Sequence, residues 1–301
     1  MTKPPFPDYI DSSSRKTAVG CMKQAEYQYI RHLKPVGTSI HLHFGGCLAR
    51  GLEVFRKDYY GNCNGFDHAM MVGVEAIIKA WQYVEPPDFG SGTKKNIEAC
   101  VCALISFFDE YPPDSDPVQP VMTADGPAVE WSFALPIPNV WHPTTGAPML
   151  YVGRFDMLAE MGGAIMVNDE KTASQLGTGW AKNWKLASQL TGYTWAAKQF
   201  GYNVQGVVIR GIGILSEKIT HQFIIEKRPQ WMIDRWLEQL QRDTRRLIAS
   251  WEEGYFDYTL DGACSYYGGC PYLPLCTSKD PEPWIEADYE IEVWDPLVKE
   301  K

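Results

Sequence analysis

Short runs rich in apolar and β-branched residues, alternating with polar ones most clearly over 127–137, occupy residues 127–137, 150–161, 164–172, 204–214 and 219–227, and each segment is predicted to be a strand. Helical spacing governs residues 14–33, 41–60, 67–85, 94–110, 179–200 and 229–253. The Pro-rich stretch from Tyr111 to Pro120 predicts a loop. Strands and helices interleave, so the pattern predicts an α/β fold with a central mixed β-sheet flanked by helices. After Trp251 the periodicity fades and Gly, Pro, Tyr and Cys become frequent. That segment needs a source of order other than an amphipathic face.

Composition narrows the class. A chain of 301 residues, 45% hydrophobic and 13% aromatic, can bury a sizeable core as one large domain or two small ones. No apolar run reaches the length of a membrane span, and the opening Met1-Thr2-Lys3-Pro4-Pro5 lacks the apolar core of a signal peptide. A cytoplasmic protein with no membrane partner is the expectation. The net charge of −9 argues against a broad basic surface. A local basic groove remains compatible with it, because acidic stretches such as Asp109 to Asp116 can lie elsewhere.

Candidate chemistry is concentrated in two runs, Gly153-Arg154-Phe155-Asp156 and Asp169-Glu170-Lys171-Thr172, separated by Gly162-Gly163. Gly-Gly is a favoured two-residue hairpin loop. Pairing Met161 with Ala164 and counting outward brings Asp156 opposite Asp169, with Cβ atoms about 5 Å apart. Strand alternation places Lys171 on the face of Asp169 and Glu170 on the other. Two opposed carboxylates repel unless something neutralises them, and a hard divalent cation with oxygen ligands fits that need. Lys171 is then positioned to orient a water or to stabilise charge on a phosphate. Chance supplies about two acid-x-Lys tripeptides in a chain of this composition. Reading every lysine finds only this one, and Asp156 and the hairpin give it weight.

The cysteines form a second pattern. Cys264, Cys270 and Cys276 are spaced C-x5-C-x5-C. Clustered thiols in an intracellular protein bind metal more often than they form disulfides. Zinc sites have tighter pairs, and wider spacing with a distant fourth ligand suits an iron–sulfur cluster. Three buried structural cysteines are the other reading of the same spacing.

Taken in order, these motifs resemble the RecB/AddB-type branch of the PD-(D/E)xK nuclease superfamily. The resemblance is to its iron–sulfur exonucleases, which include CRISPR adaptation nucleases and many phage proteins. Ser12-Ser13-Ser14-Arg15, followed by Cys21-Met22-Lys23-Gln24-Ala25-Glu26-Tyr27, resembles the first cluster cysteine and its aromatic helix. Phe44-Gly45-Gly46 and Leu52-Glu53 resemble the next helix, and Glu130 sits where the family has an acidic strand residue. Asp156 and Asp169-Glu170-Lys171 resemble the nuclease core, and Gln189 to Tyr193 resembles the Q-x3-Y motif of this branch. Residues four apart share a helix face, so Gln189 and Tyr193 can act together.

The resemblance implies one restriction-endonuclease-like nuclease domain over residues 1–301. Its core lies at about 120–230 and its Cys-rich segment at about 255–285. It implies a metal-dependent deoxyribonuclease, acting as an exonuclease on single- or double-stranded DNA ends in recombination, repair or phage DNA processing. Asp156, Asp169 and Lys171 are the implied catalytic residues. Asp156, Asp169, Glu130 and the carbonyl of Glu170 are the implied ligands of Mg²⁺ or Mn²⁺. Gln189 and Tyr193 are the implied DNA contacts. Cys21, Cys264, Cys270 and Cys276 would hold a [4Fe–4S] cluster, or zinc, joining the N- and C-terminal segments. Relatives that ring DNA imply a homo-oligomer or a recombination partner.

One departure stands out. Ala49 lies four residues after Gly45, where the family carries a metal-binding histidine. Glu53, one helical turn on, is the candidate replacement; His41 or His43 just upstream, or weaker binding of one metal, are the alternatives. A catalytically impaired DNA-binding protein, or an iron–sulfur or zinc subunit of a recombination or CRISPR-type complex, is the alternative reading.

Overall fold

The structure is a computed structural model that describes residues 3–37, 39–82, 94–215, 218–265, 269–293 and 295. In chain order its elements begin with β1 (Tyr9–Ile10), α1 (Ser12–Gly20), α2 (Met22–Ala25, continued by a wider turn over Glu26–Ile30) and β2 (Leu33–Pro35). Three helices follow, α3 (Ile40–Arg56), α4 (Phe66–Gln82) and α5 (Ile97–Glu110), and then β3 (Val118–Pro120), β4 (Met122–Thr123) and β5 (Gly126–Pro127). Next come the long strands β6 (Val129–Trp141), β7 (Pro148–Met161) and β8 (Ala164–Ala173), with α6 (Thr178–Lys182) and α7 (Ser188–Gln199). The chain closes with β9 (Val204–Ile214), β10 (Ile219–Lys227), α8 (Gln230–Glu253), α9 (Leu273–Thr277), α10 (Glu282–Asp288) and β11 (Tyr289–Ile291). These elements divide into two compact units, residues 37–131 with 154–233, and residues 1–36 with 132–153 and 234–301.

The first unit holds a mixed sheet. β7 and β8 are antiparallel, β8 and β9 parallel, and β9 and β10 antiparallel. Strand alternation sends successive residues of β9 to opposite faces. Ile212 and Ile214 enter a core with Phe44, Leu48, Leu52 and Phe55 of α3 and Leu104, Phe107 and Phe108 of α5. The α3 members recur at helical spacing, so one stripe of that helix meets the sheet. Gly211 lies on the opposite face, where a Cβ would come within 2.5 Å of the Trp180 ring and 2.8 Å of Leu176. Glycine is needed there because α6 and its leading loop press onto the backbone. α7 contributes the buried Leu190, Tyr193, Trp195, Ala196 and Ala197 and packs against β8 and β9.

The hairpin forms in the expected register, with Met161 opposite Ala164 and pairing outward to Met157 opposite Asn168. Gly162 and Gly163 have φ of +58° and +81°, the two positive values that a type I′ turn demands. The Tyr111–Pro120 stretch, expected to be loop throughout, instead ends in β3, which lies antiparallel along the end of β7. Pro120 is tolerated there because an edge position needs no donor on its outer side.

In the second unit, β1 runs parallel to the first half of β7, and β2 pairs with β11. The single helix expected over 14–33 is instead broken at Cys21, which is extended (φ −158°, ψ 115°). The Lys23 amide there donates to the Asp257 carbonyl at 3.0 Å. The C-terminal segment is ordered by stacked tyrosines. Tyr272 lies between Tyr27 and Tyr289, each at 5.6 Å between ring centroids, and its hydroxyl donates to the Leu33 carbonyl at 2.7 Å. Among the described residues, no helix is long and apolar enough to cross a membrane.

Candidate active site

The hairpin ladder stops one step before Asp156 and Asp169. The register leads next to Asp156 and Asp169, the pair expected to oppose each other. The Glu170 amide donates to Asp156 Oδ2 at 3.1 Å, so a carboxylate takes the place of a backbone acceptor. Asp169 is fully buried. Its Oδ2 is 2.7 Å from Lys171 Nζ, which fits the expected shared face. Its Oδ1 has no hydrogen-bond partner among the described residues. A buried carboxylate oxygen without a donor is costly, because it has given up water for nothing.

The electrostatics follow from this crowding. Burial pushes the Asp156 carboxyl well above the ordinary carboxylate range, and the Asp169 charge adds to it. Asp169 is also raised, by burial first, with Lys171 pulling the other way. Burial disfavours the Lys171 charge, but Asp169 and Asp156 outweigh it and hold the ammonium above its usual value.

Glu170 points to the other face, as alternation requires. Arg56 of α3 grips its carboxylate through Nη2 at 2.5 Å and Nη1 at 3.1 Å, and Asn168 Nδ2 donates to it at 2.6 Å. Burial alone would raise this carboxyl, yet Arg56 wins and holds it below its ordinary value. The Glu170 side chain is therefore engaged away from Asp156 and Asp169, and only its backbone lies beside them.

Glu53 and Glu130 are both ion-paired. Arg50 Nη1 lies 2.6 Å from Glu53 Oε2, and Lys57 bonds its other oxygen. These cations overcome the effect of burial and lower its pKa. Glu130 sits in β6 with a left-handed φ of +50°, a conformation that costs a non-glycine residue roughly 1–3 kcal/mol. Its Oε2 is 2.7 Å from Arg154 Nε. Burial pushes its carboxyl up to about 7 against the pull of Arg154, and the charges of Glu53 and Glu170 add to the rise. Among the described residues, no three His, Cys, Asp or Glu side chains form a ready-made set of metal ligands. His43, upstream of Ala49, packs instead against the Trp81 ring at 4.5 Å and within 3.7 Å of Cys47 Sγ.

Gln189 and Tyr193 face the same strands from α7. Gln189 Nε2 donates to the Tyr193 hydroxyl at 3.1 Å. The Tyr193 ring meets Phe155 edge-on at 5.5 Å. Burial raises the Tyr193 pKa, and the charges of Asp156 and Asp169 raise it further. The helix expected over 179–200 is instead two helices. The Trp184 carbonyl between them accepts a hydrogen bond from Arg228 Nη2 at 2.6 Å.

In the other unit, Cys21, Cys264, Cys270 and Cys276 all line one cavity of about 150 Å³, together with Tyr258, Leu260, Tyr272 and Leu273. All four are free thiols. Burial raises Cys270 and Cys276, and the neighbouring cysteines contribute to both shifts. Cys47 and Cys100, by contrast, belong to the hydrophobic core of α3 and α5.

Sequence reasoning missed Arg56, the Arg154–Glu130 pair and the tyrosine stack. Arg56 has no local signature, because its partner lies far along the chain. The stack was hinted at by the frequency of Tyr near the C-terminus.

A model of the PD-(D/E)XK nuclease superfamily matches residues 13–277. No curated protein matches the sequence. Among solved structures, the chain is similar to a candidate exonuclease from Eubacterium rectale, at 12% identity and a TM-score of 0.47, over 85% of this chain and 87% of that one. It is also similar to SSO0001, at 17% identity and a TM-score of 0.28, over 74% of this chain and 84% of that one.

Proposed function

The chain belongs to the PD-(D/E)XK nuclease superfamily, and on that premise we propose that it hydrolyses DNA phosphodiester bonds with Mg²⁺ or Mn²⁺, acting from DNA ends as an exonuclease. The observation that carries this reading is the buried Asp169. One of its oxygens lacks a donor and the other meets Lys171, beside a half-buried Asp156. That arrangement fits a divalent cation, whose charge would relieve both raised carboxyls.

Asp156, Asp169 and the Glu170 carbonyl would hold the ion. When bound, the ion supplies Lewis acidity toward the phosphate and lowers the pKa of a water. Lys171 keeps its proton, orients the attacking water and stabilises the charge that builds on the phosphate. Gln189 and Tyr193 steady the DNA backbone from α7. Glu53 and Glu130 join as ligands only by exchanging their cationic partners for the metal. The end-directed mode rests on the resemblance of the Q-x3-Y motif and the cysteines to those of the RecB/AddB-type branch. Recombination, repair or phage DNA processing is the corresponding role.

The thiol-lined cavity supports a second part of the proposal. Cys21, Cys264, Cys270 and Cys276 would hold a [4Fe–4S] cluster, with zinc as the alternative occupant. Four soft donors lining one cavity suit either. Its role would be structural, tying the α1–α2 break to the C-terminal segment.

Full-length protein incubated with 5′- and 3′-labelled single and double strands tests the activity. The expected result is Mn²⁺-dependent loss of nucleotides from ends, abolished by chelation. DNA that is bound but stays intact with every divalent metal and every type of end would instead favour a nuclease fold used for binding. The pairing of Glu53 with Arg50 and Lys57 suits that reading.

A further inference from the structure

Four arginines of the first unit make close ion pairs with acidic residues, and they do so differently: Arg50, 49% exposed, pairs with Glu53 within its own helix, and the other three reach across elements. Arg56 commits both Nη groups to Glu170, and Arg210 commits both to Asp116 at 2.7 and 2.6 Å. Both side chains are almost wholly buried, at 4% and 1% exposed. Arg154 approaches Glu130 through Nε, at 2.7 Å, and its side chain is 35% exposed. Neither Nη group makes a hydrogen bond among the described residues.

Its placement is specific. Arg154 precedes Asp156 by two residues on β7, so the two side chains share a face. Glu130, the anchor, is only 12% exposed and is held in left-handed backbone. The Tyr193 hydroxyl, bonded by Gln189, also interacts with the Arg154 backbone. Backbone and side chain are thus both held, while the outer edge of the guanidinium stays open. Two parallel N–H donors on one planar edge match two oxygens of a phosphate. The nearby Lys57 and Lys171 are already paired with carboxylates.

We propose that Arg154 is a phosphate clamp. In this reading its Nη edge binds a non-bridging pair of oxygens on the DNA phosphate at or beside the cleaved bond, and Glu130 is a positioning residue for it rather than a metal ligand. The inference rests on the nuclease reading above. It adds a residue that touches substrate and reassigns Glu130.

The test measures DNA binding by the full chain in EDTA across a salt series, followed by single-turnover cleavage across a Mn²⁺ series. Losing one phosphate contact lowers the salt slope by about 0.9 on duplex or about 0.7 on single strands. Arg154→Met is expected to show that drop and to cleave roughly 100-fold more slowly. Arg154→Lys keeps the slope but not the rate, because it keeps the charge and loses the fork. Glu130→Gln is expected to slow cleavage without moving the Mn²⁺ midpoint. Thermal melts identify any variant that fails to fold, and the Lys variant then decides the matter alone. Two results overturn the clamp: an unchanged salt slope in Arg154→Met, or full-rate cleavage by Arg154→Lys. A shifted Mn²⁺ midpoint in Glu130→Gln returns Glu130 to the metal. A wild type that cuts DNA alongside these results leaves the nuclease reading standing. A wild type that neither binds nor cuts DNA overturns both.

Discussion

Arg56 closes on the Glu170 carboxylate with two charge-assisted bonds on the face of β8 opposite Asp169. The middle residue of the Asp169-Glu170-Lys171 run is thereby fixed, and its amide is left to hold Asp156. Breaking a buried pair by removing one partner costs about 3–5 kcal/mol, because the other charge stays behind. Arg56→Met should lower stability by about that amount in urea unfolding. Arg56→Met with Glu170→Met should recover most of it. A single mutant as stable as wild type would show that the pair does not hold the strand.

The raised carboxyls predict a pH dependence for metal-free protein. Asp156, Asp169 and Glu130 keep protons in the fold that the unfolded chain gives up at ordinary values of 3.8 for Asp and 4.5 for Glu. The folded state then binds more protons, so stability falls as pH rises from that range through the folded values, the Glu130 one at about 7. Glu170 works in the opposite sense. Its lowered pKa contributes stability above the unfolded value and loses it as pH falls through the folded one. Melting temperatures in EDTA should therefore decline between about pH 5 and about pH 8. Asp169→Asn should flatten the decline, and added Mn²⁺ should oppose it. A profile that rises across this range contradicts the assignment.

Gly211 tests the packing that places α6 beside the site. A methyl group there meets the Trp180 ring and Leu176 at less than 3 Å. Gly211→Ala should cost about 1–3 kcal/mol in chemical denaturation. A neutral substitution would mean that this helix yields freely.

Much of this was legible in the sequence, and the reason is local. β9 and β10 begin and end where the predicted strand segments do, and the Gly162–Gly163 turn fixes the register down to Met157 and Asn168. The shared face of Asp169 and Lys171 follows from strand alternation alone. The breaks at Cys21 and Trp184 were not legible, because helical spacing continues through both. Distant groups mark them, the Asp257 carbonyl in one case and the Arg228 guanidinium in the other. Arg56–Glu170 and Arg210–Asp116 escape for the same reason, since nothing near an arginine in sequence names a carboxylate about a hundred residues away.

The cysteine cavity makes its own prediction. Anaerobically purified protein should be coloured and contain iron. Cys276→Ser should lose the iron and Cys47→Ser should keep it, because Cys47 lies in the α3–α5 core. Colourless protein containing zinc would replace the cluster with the other occupant, and loss of metal in Cys47→Ser would overturn the ligand set.

The most direct measurement is the rate of Mn²⁺-dependent degradation of end-labelled linear DNA by wild type, Asp169→Ala and Lys171→Ala, each checked for folding by thermal melting. Degradation by wild type and a loss of at least about 100-fold in both variants is the predicted result. Folded Asp169→Ala that degrades DNA at the wild-type rate would contradict the claim that this buried carboxylate is where the chemistry occurs.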